Sequence, residues 1–177
     1  SIVGGGESSN LRIAMNAKAF RVLSDNMYQD KIGSIVRELS CNAADSHTMA
    51  GNIDRPITIH VPDQFEPWFT VRDYGVGLSP DAITNVFCVY FESTKDQSND
   101  SIGAFGLGAK TPFAYSDQFS VISIVDGTKR SYSASIGASG MPTIDLMHEG
   151  ETTEGNGVEI RMAVKEGDFN RFTNAVR

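Results

Sequence analysis

The order of elements along the chain predicts an α+β sandwich. Helix-period apolar positions concentrate in the first half, and a run of β-rich segments separated by turn signals closes the second. The 177-residue length, with 40% hydrophobic and 21% charged residues, suits one ordinary globular domain with a real core.

Taken in order, residues 1–10 (SIVGGGESSN) are rich in Gly and Ser and read as a flexible segment. Residues 11–15 read as a short strand. Residues 16–23 read as a helical turn or two with Phe20 and Leu23 facing inward. From 31 to 50 the pattern sharpens: Ile32, Ile35, Val36, Leu39 and Ala43 recur at helical spacing, and Gly51-Asn52 supplies the stop. PITIHV at 56–61 is β-branched and alternating, hence a strand, and 68–72 is a second one. Ser79-Pro80 opens a helix, with Ser79 as N-cap and Pro80 at the first helical position. Residues 92–101 are polar and read as a loop, 102–108 are glycine-rich, and 110–115 open a short helix. Strands follow at 119–125, 131–136, 143–147 and 158–164, with Asp126-Gly127 as a hairpin turn. From Gly167 onward the pattern is helical again.

Composition narrows the function classes. Fifteen Lys+Arg against 22 Asp+Glu give a formal net charge of −7, which disfavours tracking a phosphate backbone but not binding a single nucleotide. No stretch of about 18 apolar residues is present, as a spanning helix would need, and the first residues lack a basic-then-apolar leader. The chain starts at Ser and stops in a helix-like segment, so it reads as an excised domain with neighbours missing. Cys41 and Cys88 have no CxxC partner and read as small apolar fillers in a reducing compartment. His47, His60 and His148 show no zinc-ligand spacing and read as surface or internally satisfied side chains.

Three motifs carry chemistry. Glu38, Asn42 and Asp45 fall within roughly 60° of one another on the long helix, about 110° from the apolar stripe. That places them at the core's margin, where hard oxygens suit Mg²⁺, or else on a solvated flank. Ser34 and Cys41 fall nearly opposite the core. The second motif, Asp73-Tyr74-Gly75-Val76-Gly77, follows a strand directly. Its carboxylate can accept from an amino group such as that of adenine, or it can close a tight Asx turn. The third, Gly103 to Thr111 (GAFGLGAKT), fails the Walker A pattern because Ala109 separates Gly108 from Lys110. What remains is a glycine-rich turn before a helix N-terminus with Lys110 in its first turn: an anion site, or a loop with a surface lysine.

The motifs together, in this order, resemble the Bergerat-fold ATPases: Hsp90, type II topoisomerase ATPase subunits, MutL and sensor histidine kinases. The resemblance covers roughly residues 30–165. It implies a two-layer sandwich with a mixed, mostly antiparallel sheet and helices on one face. The ATP-binding domain would then span 11–165, and 166–177 would begin a helix leading to a missing downstream region. It implies ATP and Mg²⁺ as ligands, Glu38 polarising the attacking water, Asn42 holding Mg²⁺, and Asp73 receiving the adenine amino group. Asp45 matches the acidic position lining the pocket, and the implied contacts take in Val76, Gly77 and Leu78. The amides of Gly106, Leu107, Gly108 and Ala109 would face the phosphates. The 92–101 segment, with Ser93, Thr94 and Lys95, would close as a lid, and Lys110 would offset developing charge. A threonine common in the family near the last strand is Val158 here, which weakens one adenine-site contact.

The runs KIGSIVRELSCNAADSH, YFESTKDQSNDSIGAFGLGAKTPFAYSD and GVEI are similar to the rIIA-type family of rapid-lysis proteins of T-even bacteriophages. That resemblance implies a factor in the cytoplasm of the infected bacterial host, peripheral to its inner membrane, affecting lysis or phage exclusion. A self-dimer and an rIIB-type partner are implied on the same ground, with no direct nucleic-acid contact and no membrane anchor in this chain. Slow hydrolysis driving a conformational switch is expected, since relatives complete the site with a downstream lysine. A non-hydrolysing nucleotide-binding scaffold, a DNA-linked ATPase of the MutL or topoisomerase kind, and a histidine kinase are the alternatives.

Overall fold

The structure is a computed structural model describing residues 30–88, 110–137 and 142–177. The elements expected at 11–15 and 16–23, the flexible segment 1–10, the lid and the glycine-rich turn lie outside the described residues.

The first described helix, α1, spans Lys31–Met49. Asp30 caps it, its Oδ1 accepting from Gly33 N at 3.0 Å. At the other end Gly51 takes a positive φ of 69°. Asn52 N then donates to His47 O at 2.8 Å and Gly51 N to Thr48 O at 3.1 Å. This is a Schellman closure, the stop that Gly51-Asn52 predicts. Ile32, Ile35, Val36, Leu39 and Ala43 are all buried, as the periodicity requires. Two expectations on this helix are corrected. Ser34 is buried, because α1 packs against a C-terminal helix and a 3-10 turn as well as the sheet, which widens its covered arc. Cys41 is exposed and so is no core filler.

Six strands follow the helix: β1 (Thr58–His60), β2 (Trp68–Arg72), β3 (Gln118–Val125), β4 (Thr128–Ile136), β5 (Pro142–Glu151) and β6 (Gly157–Ala163). They form one sheet in the order β1-β2-β6-β3-β4-β5. Every described pairing is antiparallel, so no parallel pair gives the sheet a mixed character here. β1 is shorter than PITIHV suggests. Among the described residues it pairs only with β2, and past His60 the chain enters a turn in which Asp63 N donates to Glu66 O. Asp126 and Gly127 join β3 to β4 with φ of 47° and 84°, the two positive angles of a type I′ hairpin.

Register puts Phe69, Val71, Phe119, Val121, Tyr132, Ala134, Val158 and Met162 on one face. All are buried there, and the helices cover that face. α2 (Pro80–Cys88) starts with Ser79 Oγ accepting from Ala82 N at 3.2 Å and packs Phe87 near Phe119. The final helix, α3 (Phe169–Val176), drives Phe172 between Phe69 and Tyr115, with ring centroids 5.1 and 5.5 Å apart. Tyr115 donates from its hydroxyl to Asp168 Oδ2 at 2.6 Å. Burial and then this carboxylate push the phenol up to about 12. Among the described residues, no helix is long and apolar enough to cross a membrane.

Candidate functional site

The cleft sits between α1 and the sheet, at the end of β2. Its empty volume is about 390 Å³, open solvent at its mouth included. Leu39 and Ala43 of α1, Phe87 of α2, and Val71, Val121 and Ile160 of the sheet give it apolar walls. Among the described residues of its lining, Asp73 and Asn42 carry the side chains able to hydrogen-bond a guest.

Asp73 is 6% exposed and occupies the first position after β2. Its Oδ1 accepts from Gly75 N at 3.0 Å, Val158 N at 3.2 Å and Ser46 Oγ at 3.4 Å. Among the described residues these donors all reach Oδ1 and none of them reaches Oδ2. Its backbone N–H donates to Val158 O at 2.9 Å, extending the β2–β6 pairing by one step. Burial raises the carboxyl above its ordinary value, opposed by the Gly75 and Val158 N–H groups and the Arg72 guanidinium. Arg72 is itself held by Gly155 O at 2.6 Å and Asn156 O at 3.2 Å, and it lies 4.4 Å from the Tyr74 ring centroid.

Asn42 lies one helical turn from Ser46. Its Nδ2 is buried with no hydrogen-bond partner among the described residues. An orphaned buried amide beside a cleft marks the place where a polar ligand group is accepted, because leaving it unpaired costs about 1–3 kcal/mol. The amide can be turned to present Oδ1 instead, so the same side chain suits either an anionic oxygen or a hard cation. Glu38 is half-buried one turn earlier, and Asp45 is exposed. Of the predicted trio, Asn42 is the member in the cleft lining, and Asp45 lies on the exposed flank of the helix.

The turn after Asp73 is fastened from below. Leu78 lines the cleft, and the Ser123 hydroxyl of β3 holds both its backbone groups, accepting from Leu78 N at 2.8 Å and donating to Leu78 O at 2.7 Å. Gly77 has φ 76°, and a Cβ there would run into the Ile124 carbonyl. Gly77→Ala is therefore expected to lower unfolding free energy by about 2 kcal/mol, read as a shift in denaturant midpoint. Val76 is 57% exposed and is not in the cleft lining.

Lys110 is fully buried, so its reading as a surface lysine is corrected. It precedes a four-residue 3-10 turn, Thr111–Ala114, with Pro112 inside. That element is too short to carry the aligned dipole expected of a full helix. Ser93, Thr94, Lys95, Gly106, Leu107, Gly108 and Ala109 lie outside the described residues.

Sequence reasoning missed Ser46, His47, Ser123 and the backbone of Val158. Ser46 had a signal: it follows Glu38 and Asn42 at i+8 and i+4 on one helix face. His47 is buried, with Nδ1 2.8 Å from Arg55 O and Nε2 accepting from Tyr74 N at 2.7 Å.

An apolar slot with one buried acceptor carboxylate suits a flat heteroaromatic ring bearing an amino group, and the orphaned amide beside it suits a charged appendage of that ring. A family model described as "Histidine kinase-, DNA gyrase B-, and HSP90-like ATPase" matches residues 27–168. No curated protein matches the chain.

Proposed function

Since the chain belongs to the histidine kinase-, DNA gyrase B- and HSP90-like ATPases, we propose that its cleft binds the adenine ring of ATP and that hydrolysis, where it occurs, is slow. The observation that carries this reading is Asp73: a buried carboxylate in an apolar slot whose protein donors converge on Oδ1. Its Oδ2 is the acceptor for the exocyclic amino group, and Leu39, Val71, Phe87 and Val121 supply flat apolar contact for the ring.

Asn42 lines the cleft, and its Oδ1 is a hard oxygen of the kind that would hold Mg²⁺. When bound, Mg²⁺ neutralises charge on the phosphates. Glu38, one turn away, orients the attacking water and draws its proton. Val76, Gly77 and Leu78 serve the purine side in this reading, with Leu78 in the cleft lining, and Asp45 is the acidic contact of the pocket. Ser93, Thr94 and Lys95 of the 92–101 segment and the amides of Gly106 to Ala109 serve the phosphates in this reading, while Lys110, fully buried and outside the cleft lining, would reach them only after a rearrangement. Such catalysis is positioning and charge stabilisation without a covalent intermediate.

The biological setting rests on the resemblance to rIIA-type phage proteins: an ATP-dependent conformational switch in the infected cell, acting through a self-dimer and an rIIB-type partner. Calorimetry tests the core of the proposal. ATP and ADP with Mg²⁺ are expected to bind the chain, and Glu38→Ala is expected to bind ATP like the parent. In the full-length protein that substitution is expected to reduce turnover by about 10²-fold or more. No binding at millimolar nucleotide sinks the proposal, while binding with turnover unaffected by Glu38→Ala removes Glu38 from the mechanism.

A further inference from the structure

We infer that His47 and Asn52, at the C-terminal end of α1, form a clamp on the Tyr74 backbone that positions Asp73 and so sets base selectivity. The inference rests on the reading of Asp73 as the purine acceptor and adds two residues that neither line the cleft nor belong to its motifs.

Tyr74 is gripped on both backbone groups. Its N–H donates to His47 Nε2 at 2.7 Å. Its carbonyl accepts from Asn52 Nδ2 at 3.1 Å. The two gripping residues are tied to each other, Asn52 N donating to His47 O at 2.8 Å in the helix closure. The next N–H along the chain is Gly75, which donates to Asp73 Oδ1 at 3.0 Å. The Tyr74 carbonyl and the Gly75 N–H belong to one rigid peptide plane. Asn52 therefore fixes the plane that aims the Gly75 donor, and His47 fixes the plane before it. A side chain on Gly75 would strike the Ser46 hydroxyl, so the turn sits directly against α1.

His47 is suited to this work in one protonation form. The Arg55 carbonyl at Nδ1 can only accept and the Tyr74 N–H at Nε2 can only donate, so the ring is the neutral Nδ1–H tautomer. It is 3% exposed, which leaves water little access to substitute for either bond. The Tyr74 side chain is pinned as well, with the Arg55 guanidinium 3.8 Å from its ring centroid and its hydroxyl 2.8 Å from Thr58 Oγ1.

A clamp that aims one carboxylate oxygen acts on the base that oxygen reads. Adenine offers an amino group where guanine offers a carbonyl, so loosening Asp73 weakens ATP more than GTP. A role confined to stability lowers the melting temperature without moving the ATP:GTP ratio. The test is calorimetric Kd for both nucleotides, with melting temperatures, on the whole chain and on His47→Leu, His47→Gln and Asn52→Ala. Glutamine keeps an acceptor within reach of the Tyr74 N–H. His47→Leu and Asn52→Ala are expected to raise the ATP Kd about 10-fold or more and to cut the ATP:GTP preference by about the same factor. His47→Gln is expected to return within about 3-fold of the parent.

An unchanged ATP:GTP ratio in folded His47→Leu and Asn52→Ala overturns the inference. Should His47→Leu fail to fold, Asn52→Ala still decides it. Amide hydrogen exchange on the nucleotide-free protein gives a second, independent reading. Gly75 N–H is expected to lose protection in either clamp variant, and retained protection sinks the clamp even if ATP binds. Failure of the parent chain to bind ATP, with Gly75 protection lost as expected, overturns the purine reading and the base-selectivity claim together and leaves only the clamp's hold on Asp73.

Discussion

Replacing Asp73 with asparagine is expected to abolish useful ATP affinity while leaving the fold as stable as before, or more so. The amide keeps an oxygen where Oδ1 accepts from Gly75, Val158 and Ser46. It then turns an NH₂ toward the guest where the carboxylate offered a lone pair. An amino group facing an amino group has no hydrogen bond to make, and both are left unpaired in an apolar slot. A loss of about 10²-fold or more in Kd is expected.

Stability moves the other way because of the sign of the Asp73 shift. Its folded pKa lies above the unfolded value of 3.8. Between those two values the native state holds more protons than the unfolded chain, so stability falls as pH rises through that window. The stabilising contribution is full only below the unfolded pKa, and near neutrality the ionised group is a net burden on the fold. Asparagine removes the burden, the usual exchange between stability and function at a binding site. Thermal melts and calorimetry on the same preparation check both halves. A large fall in melting temperature, or ATP affinity within a few-fold of the parent, contradicts the prediction.

The largest effect on the fold itself is expected from Phe172→Ala. Phe172 is fully buried and packs against Phe69 of β2 and Tyr115. Truncating a phenyl ring enclosed on this scale costs about 3–5 kcal/mol, through lost burial and the cavity left behind. α3 spans only eight residues, too few to hold its helix without that anchor. A fall in melting temperature of about 10 °C is expected, with a lower denaturant midpoint as the check. Trp68 is the only tryptophan and neighbours Phe69 on β2, so its fluorescence can follow the transition. A midpoint shift worth under about 1 kcal/mol would mean that the cavity collapses onto another side chain.

Local chemistry was legible in the sequence and distant chemistry was not. α1 announced itself through its apolar spacing and its Gly51 stop, α2 through Ser79-Pro80, and the β3–β4 hairpin through Asp126-Gly127. Each signal lies within a few residues of what it controls. The carboxylate of Asp73 was legible as an acceptor at a strand end, and its family confirms the kind of domain in which it stands. Its partners were not legible, since Ser46 lies 27 residues away in sequence and Val158 lies 85. Nothing near Ser123 tells that its hydroxyl will hold Leu78, 45 residues earlier. Lys110 defeated sequence reasoning because lysine is almost always exposed, and only tertiary packing puts it inside.

The place of β6 has a consequence for how the protein is made. β6 is the last strand in the chain, yet it lies between β2 and β3, joining β1-β2 to β3-β4-β5. A nascent chain that has emerged only as far as β5 holds two separate pieces of sheet, with the facing edges of β2 and β3 unpaired. It also lacks the Val158 amide that steadies Asp73. Inserting β6 closes both edges and completes the pocket in one event, through contacts of high sequence separation that form slowly. The ribosome must therefore deliver nearly the whole domain before any of it can hold a nucleotide. Until then the exposed strand edges of β2 and β3 are the surfaces a chaperone would have to shield.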